Sequence, residues 1–511
     1  MSMQSLLRDN LFFFDSQLFK DVQLAAIYKD SKTFADAIPK IAYQDIFNRY
    51  EQQCQRNNAV DLKEFVEHYF TLPTDTEVTS KEQLKTVKAH ISHLWKVLKK
   101  PGDEKLAGSL LPLKHAYIVP GGRFREIYYW DSYFTALGLI ESGHFELVNN
   151  MLDNFVELLA DNGCIPNGNR AYYYSRSQPP ILSMLVNLLM PYQQDKTVFI
   201  KRYVTAIVAE YNFWMRGSEQ LTANINSSRR TVYMPDGSVL NRYWDDEATP
   251  RPESYREDIE LAQNIPQEQR ESFYRNIRAA CESGWDFSSR WLKDSAKLAS
   301  IQTTDIVPVD LNCLLYQVEL HLSEYYHLLE EQELRQHFFE KSLVRKNAIQ
   351  KYLWSDALSY FVDFNIKENV QSPVLSLAGV LPLFVEIANH GQAKRIKEQL
   401  ENNFLKAGGL ITTIKESAQQ WDSPNGWAPL HWFTVQGLRH YQFDDLAIDV
   451  SQRWLKMIES FFQKSGKLME KYNVCQQVSI ASGGEYEVQE GFGWTNGVTL
   501  AFYAYLENTN P

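Results

Sequence analysis

Cysteine is scarce in this chain of 511 residues. Cys54, Cys164, Cys281, Cys313 and Cys475 are far apart, odd in number and free of any CxxC pairing. That pattern offers no zinc or thioredoxin-like site and suits a reducing compartment, so a cytoplasmic location is expected. Long apolar runs are also missing. No stretch of about 18 apolar residues occurs, so no membrane span is expected. The start MSMQSLLRDNLFFF lacks a leader's apolar core because Arg8 and Asp9 interrupt it. Basic blocks are absent, and the net charge is −11. A nucleic-acid binder would carry a basic face, and an anionic membrane would repel this balance. The eleven histidines are dispersed. Their closest pair, His90 and His93, sits on an amphipathic helical pattern with no matching cysteine or carboxylate cluster, so neither metal nor cofactor is expected.

Helical periodicity is abundant. Leu84, Val87, Ile91, Leu94, Trp95 and Leu98 recur at spacings of three and four. Leu311, Leu314, Leu315, Val318, Leu322, Tyr325 and Leu329 do the same, as do Leu446, Val450, Trp454, Met457, Ile458 and Phe461. Loops rich in Gly, Pro and Asn separate these patterns: PGGR at 120–123, IPNGNR at 165–170, ATPRPES at 248–254, DSPNG at 422–426 and ASGGEY at 481–486. The reading is an all-helical body over 84–511, with 1–83 as an N-terminal extension packed against it. A monomer is expected.

The loops hold an unusual mixture. PGGRFREIYYWDSYF (120–134) brings two arginines, two acids and several aromatic rings into one short segment. Gly121 and Gly122 in it suggest close approach of backbone to a ligand. QWDSPNGWAPLHW (420–432) sets three tryptophans around Asp422, IPNGNRAYYYSRSQPP (165–180) sets Asn167, Arg170 and Arg176 among tyrosines, and PRPESYRED (250–258) carries Arg251 and Glu253. Sugars need such surroundings. Their C–H faces lie on aromatic rings, and their hydroxyls need planar charged partners. Each segment alone also reads as a helix start or a tryptophan-anchored turn. Four together point to a carbohydrate pocket.

Glycosidic hydrolysis needs two carboxyl groups. Asp310 in IVPVDLN opens an apolar helix, a place where Asp commonly caps and where the helix N-terminus favours the ionised form. Glu470, Glu485, Glu487 and Glu490 are further candidates, and residue types alone do not choose among them.

PGGRFREIYYWDSYF and QWDSPNGWAPL resemble the two signature segments of the inverting trehalase family of glycoside hydrolases. The resemblance continues through IPNGNRAYYYSRSQPP, PRPESYRED, VPVDLN, MEKYNV and GGEYEVQEGFGWTNG. It implies an (α/α)6 toroid of about twelve helices with the site in the barrel mouth. It further implies hydrolysis of α,α-trehalose to two glucoses with inversion, without a cofactor. By that likeness Asp310 falls on the general acid and Glu470 on the general base. Arg123, Trp130, Asp131, Asn167, Arg176, Arg251 and Glu253 fall on substrate-binding positions, and Trp421, Asp422 and Glu485 are expected to line the pocket. Two departures stand out. The glycine run before Glu485, in a loop resembling the family's lid, is short, and Asn473 replaces a common aspartate. The rivals are an inverting phosphorylase or other glucosidase on the same toroid, and a binding protein without turnover. Retention of two carboxylates disfavours the latter.

Overall fold

A computed structural model describes residues 3–56, 60–74, 85–103, 108–476, 481 and 483–509. Twelve helices alternate between two concentric rings. The inner ring consists of Tyr129–Glu141, Leu182–Leu189, Val309–Leu328, Leu381–Phe384, Ala428–His440 and Gly493–Thr509. The outer ring consists of Val87–Leu98, Phe145–Asn162, Lys196–Met215, Gln332–Tyr352, His390–Gln399 and Asp444–Ser465. This is the (α/α)6 toroid.

The two rings follow from different sequence patterns. In Tyr129–Glu141 every residue except the last is buried, as befits a helix with neighbours on all sides. In Asp444–Ser465 burial falls on Leu446, Val450, Trp454, Met457, Ile458 and Phe461, one stripe of an outer helix. The periodicity of Val87, Ile91, Leu94 and Leu98 also forms an outer helix, while Leu84 lies outside the described residues. On that helix His90 is buried against Phe462, its ring centroid 5.0 Å away.

The ring closes where its first and last inner helices meet. A Cβ at Gly138 would lie 2.6 Å from the Gly497 Cα, and one at Gly497 would lie 2.0 Å from the Phe134 carbonyl oxygen. The two backbones therefore touch, and a methyl group at either position would force them apart at about 1–3 kcal/mol.

The N-terminal residues reach the body through aromatic and charged contacts. Phe14 packs on Tyr172 and Phe19 on Tyr255, each with centroids 5.8 Å apart. Lys32 is buried between Asp36 at 2.5 Å and Glu126 at 2.9 Å. Burial pushes the Asp36 carboxyl up, but Arg170 and Lys32 outweigh it and hold it at about 2.

A long crossing between outer helix Lys196–Met215 and inner helix Val309–Leu328 carries a three-stranded ribbon (Ser227–Ser228, Thr231–Tyr233, Val239–Asn241) and two further helices, Tyr255–Leu261 and Arg270–Glu282. It forms one wall of the cavity described next.

Candidate active site

The loops at the ends of the inner helices enclose a cavity of about 700 Å³. Arg123, Trp130, Asp131, Asn167, Arg176, Arg251, Glu253, Trp421, Glu470 and Glu485 all line it. Six separate segments of the chain thus converge on one space.

Tryptophans make its apolar surface. Trp421 and Trp427 stack face to face, 3.8 Å between centroids and 2° between planes, and Trp285 stacks on the other side of Trp421 at 5.3 Å. Trp494 meets Trp427 edge-on at 5.6 Å. Such a slab is large, rigid and suited to the C–H faces of a sugar ring.

The arginines are each held by a carboxylate. Arg123 Nη2 donates to Asp30 at 2.8 Å, Arg176 Nη2 to Glu253 at 2.6 Å, and Arg251 Nη2 to Asp258 at 2.6 Å and Glu485 at 2.9 Å. Paired guanidiniums present fixed donors with little net field, which fits an uncharged ligand better than an anion. Asp30 and Lys32 come from the N-terminal segment, and Lys32 lines the cavity itself.

Two expected site residues lie elsewhere. Asp310 does not line the cavity. Arg290 donates to both of its oxygens, at 2.9 and 2.7 Å, and also grips Asp363 at 2.6 and 2.8 Å. Asp363 in turn accepts the Val309 N–H at 2.9 Å, so the cluster anchors the start of inner helix Val309–Leu328. Without access to the cavity, Asp310 cannot reach a glycosidic oxygen, and its expected place in the pocket is corrected accordingly. Asp422 is likewise withdrawn from the lining. It is fully buried and accepts from Ser288 Oγ at 2.8 Å, Ser289 N–H at 2.8 Å, Thr413 Oγ1 at 2.9 Å and Ser417 Oγ at 2.5 Å. It ties two loops together and has no capacity left for a ligand. Gly122 also serves a neighbour, because a Cβ there would collide with Gln489 Oε1 at 2.2 Å.

Asp286, from the segment SGWDFSSR (283–290), lines the cavity and was not singled out in the sequence. Burial pushes its carboxyl up to about 7, with Arg251 opposing and Glu485 reinforcing the rise. It forms no ion pair among the described residues. Gly284 sets its place, since φ there is +75° and a Cβ would meet the Trp130 ring at 2.9 Å. The sequence carried a signal for it. GWD among serines has the same tryptophan–acid–glycine loop composition as QWDSPNG, but only one of those two aspartates faces the cavity.

Glu470 is 1% exposed. Tyr486 Oη donates to its Oε1 at 2.7 Å, while its Oε2 has no hydrogen-bond partner among the described residues. Asp131 is buried nearby. Its carboxyl is driven well up by burial, with Glu470 and Asp286 adding to the effect. Glu485 and Tyr486 close the cavity from the loop after Gly484, whose residues 477–480 and 482 lie outside the described residues. Glu487 pairs with Lys29 and Glu490 with Lys467, both away from the lining. The cavity thus holds one carboxyl poised to keep a proton near neutral pH and one with an oxygen that accepts no hydrogen bond among the described residues.

The structure is similar to that of the neutral trehalase from Saccharomyces cerevisiae, with a TM-score of 0.64 and 26% identity over 76% of this chain and 73% of that one. An uncharacterised conserved protein from Thermus thermophilus matches at TM-score 0.54 and 15% identity, over 82% of this chain and 100% of that one. A GH63 mannosylglycerate hydrolase from the same organism matches at 0.53 and 17%, over 76% and 96%. These last two share the fold. The trehalase family model matches residues 26–507, nearly the whole length. With that match and a cavity built for a neutral sugar, the chain belongs to the trehalase family and is a glycoside hydrolase.

Proposed function

We propose that the protein hydrolyses α,α-trehalose by single displacement with inversion, using Asp286 as general acid and Glu470 as general base. The observation that carries this reading is the contrast between the two carboxyls in one cavity, one held protonated to about pH 7 by burial and the other presenting an oxygen that accepts no hydrogen bond among the described residues. Asp286 donates its proton to the oxygen between the two glucoses. Glu470 Oε2 takes a proton from a water, which attacks the anomeric carbon from the opposite face. An inverting pair stands roughly 6.5–9.5 Å apart to leave room for that water. The leaving glucose keeps its α configuration, and the attacked one becomes β.

Trp421, Trp427 and Trp494 form the apolar side of the cavity, while Arg123, Arg176 and Arg251, held by their carboxylates, donate to hydroxyls. Both proton-transfer groups belong to the chain, so the reaction needs no metal or cofactor. The five free cysteines support a reducing, cytoplasmic setting.

Proton NMR of freshly formed product tests the mechanism. Equal initial α- and β-glucose is the expected result. Initial product that is all α, or a glucose phosphate released in phosphate buffer, would overturn it.

A further inference from the structure

Behind the two proposed reacting carboxyls runs a line of side chains that reach neither the cavity nor each other's partners by chance of proximity. Lys471, the residue after Glu470, is fully buried. Its Nζ lies 3.8 Å from Glu470 Oε2 and donates to Gln420 Oε1. Gln420 Nε2 in turn donates to the Asp286 backbone carbonyl. Both ends of one amide are thus used, one toward the proposed base and one toward the proposed acid.

The amide itself is rigidly mounted. The backbone carbonyl of Gln420 accepts from Asn425 Nδ2 at 3.0 Å and Trp427 Nε1 at 3.1 Å, which fixes the residue that carries it. Asn425–Gly426 pairs antiparallel with Tyr472–Asn473, joining the Gln420 and Lys471 segments a second time. The loop carrying Tyr486 rests on the same amide, for a Cβ at Gly484 would lie 2.7 Å from Gln420 Oε1.

Energetics argue against a merely structural lysine. Burial lowers the Lys471 pKa, and only its carboxylate neighbours Glu470 and Asp286 oppose that. A buried ion pair often costs as much in desolvation as its attraction returns, so it is weak as a purely structural device. Its cost is offset if its field acts on the base. The charged and titratable groups around Glu470 are Tyr486 from the closing loop, Asp131 from inner helix Tyr129–Glu141 and Lys471 itself, and Asp286 acts on both Asp131 and Lys471. Arg123 stands one ring further out, 4.6 Å from the Tyr486 centroid. Lys471 is therefore the cation adjacent to the free oxygen.

We infer that Lys471 and Gln420 are positioning residues, a brace that fixes Glu470 and the Asp286 backbone at one spacing and sets a positive charge behind the base. The inference rests on the roles proposed for Asp286 and Glu470. A base that loses a neighbouring positive charge takes up its proton at higher pH.

The test is the pH profile of trehalose hydrolysis by the full chain. K471M is expected to move the acid limb of kcat/KM up by about one pH unit. K471R is expected to leave that limb in place while lowering kcat about tenfold, because the fork misplaces its partners. Q420N, one methylene too short to span both ends, is expected to lower kcat about tenfold or more with KM within about twofold. A folded K471M with the wild-type acid limb would overturn the inference, as would Q420N with wild-type kcat. Should K471M fail to fold, Q420N decides. Wild-type turnover in D286N or E470Q would instead sink the assignment of acid and base, and the brace with it.

Discussion

Asp286, half-buried at the cavity, and Asp310, buried behind a helix start, differ in what meets their oxygens. Asp310 has a guanidinium on each oxygen, 2.9 and 2.7 Å away, shared with Asp363 at the root of an inner helix. Asp286 has tryptophan and phenylalanine beside it in the chain, a cavity in front, and no ion pair among the described residues. Burial with a partner yields an anchor. Burial without one yields a carboxyl that holds its proton to about pH 7. The partner, more than burial itself, separates scaffold from chemistry here.

The largest effect that this contrast predicts is on turnover. D286N and E470Q should each lose about a thousandfold or more in kcat while still binding trehalose. D310N should keep kcat within about tenfold at temperatures where it is folded. Its loss should appear in denaturant unfolding, at about 3–5 kcal/mol, because the Arg290 charge is left half-paired in the interior. If a folded D310N were as inactive as D286N, the contrast would be wrong.

A smaller effect sharpens the comparison among the arginines. Arg176 faces the cavity with its charge balanced by Glu253, whereas Arg290 faces only protein. R176K should raise KM for trehalose about tenfold, through loss of the planar fork. R290K should leave KM near wild type and lower the melting temperature. Initial-rate kinetics and a thermal scan on the two variants check this directly.

The smallest effect concerns stability at Asp286. Its folded pKa of about 7 lies above the unfolded value near 3.9, so the folded state must give up a proton it holds more tightly. That carboxyl costs nothing below the unfolded value, and its cost grows as pH rises toward 7 and is then constant. D286N should therefore melt higher than wild type at pH 8, with a gain on the order of a few kcal/mol at most, and show a smaller gain at pH 5. Equal melting at pH 8 would mean that the carboxyl is better solvated than its burial suggests.

Much of this was legible without coordinates. Spacings of three and four marked the outer helix at 444–465 and the inner one at 309–328, and glycine- and proline-rich breaks marked the loops. Arg123, Trp130, Asn167, Arg176, Arg251, Glu253 and Trp421 stood in the tryptophan- and arginine-bearing segments, Glu470 was singled out only by the family resemblance, and the cavity gathers them all. The two residues misplaced, Asp310 and Asp422, come from different kinds of segment, one apolar and one tryptophan-rich. Asp310 was lost to Arg290, which also holds Asp363, and Asp422 to Ser288 from a distant loop and Thr413 from a nearer one.

Periodicity and turn chemistry are local, so the chain by itself determined its helices, its loops and the sugar-binding character of those loops. Which carboxyl at a helix end meets a cavity and which meets an arginine is set by contacts between segments that the linear order does not bring together. A carboxyl's solvation, and hence whether it holds a proton, depends on everything within a few ångströms of it. Only the closed toroid decided that, by turning Asp310 toward Arg290 and leaving Asp286 and Glu470 to line one cavity.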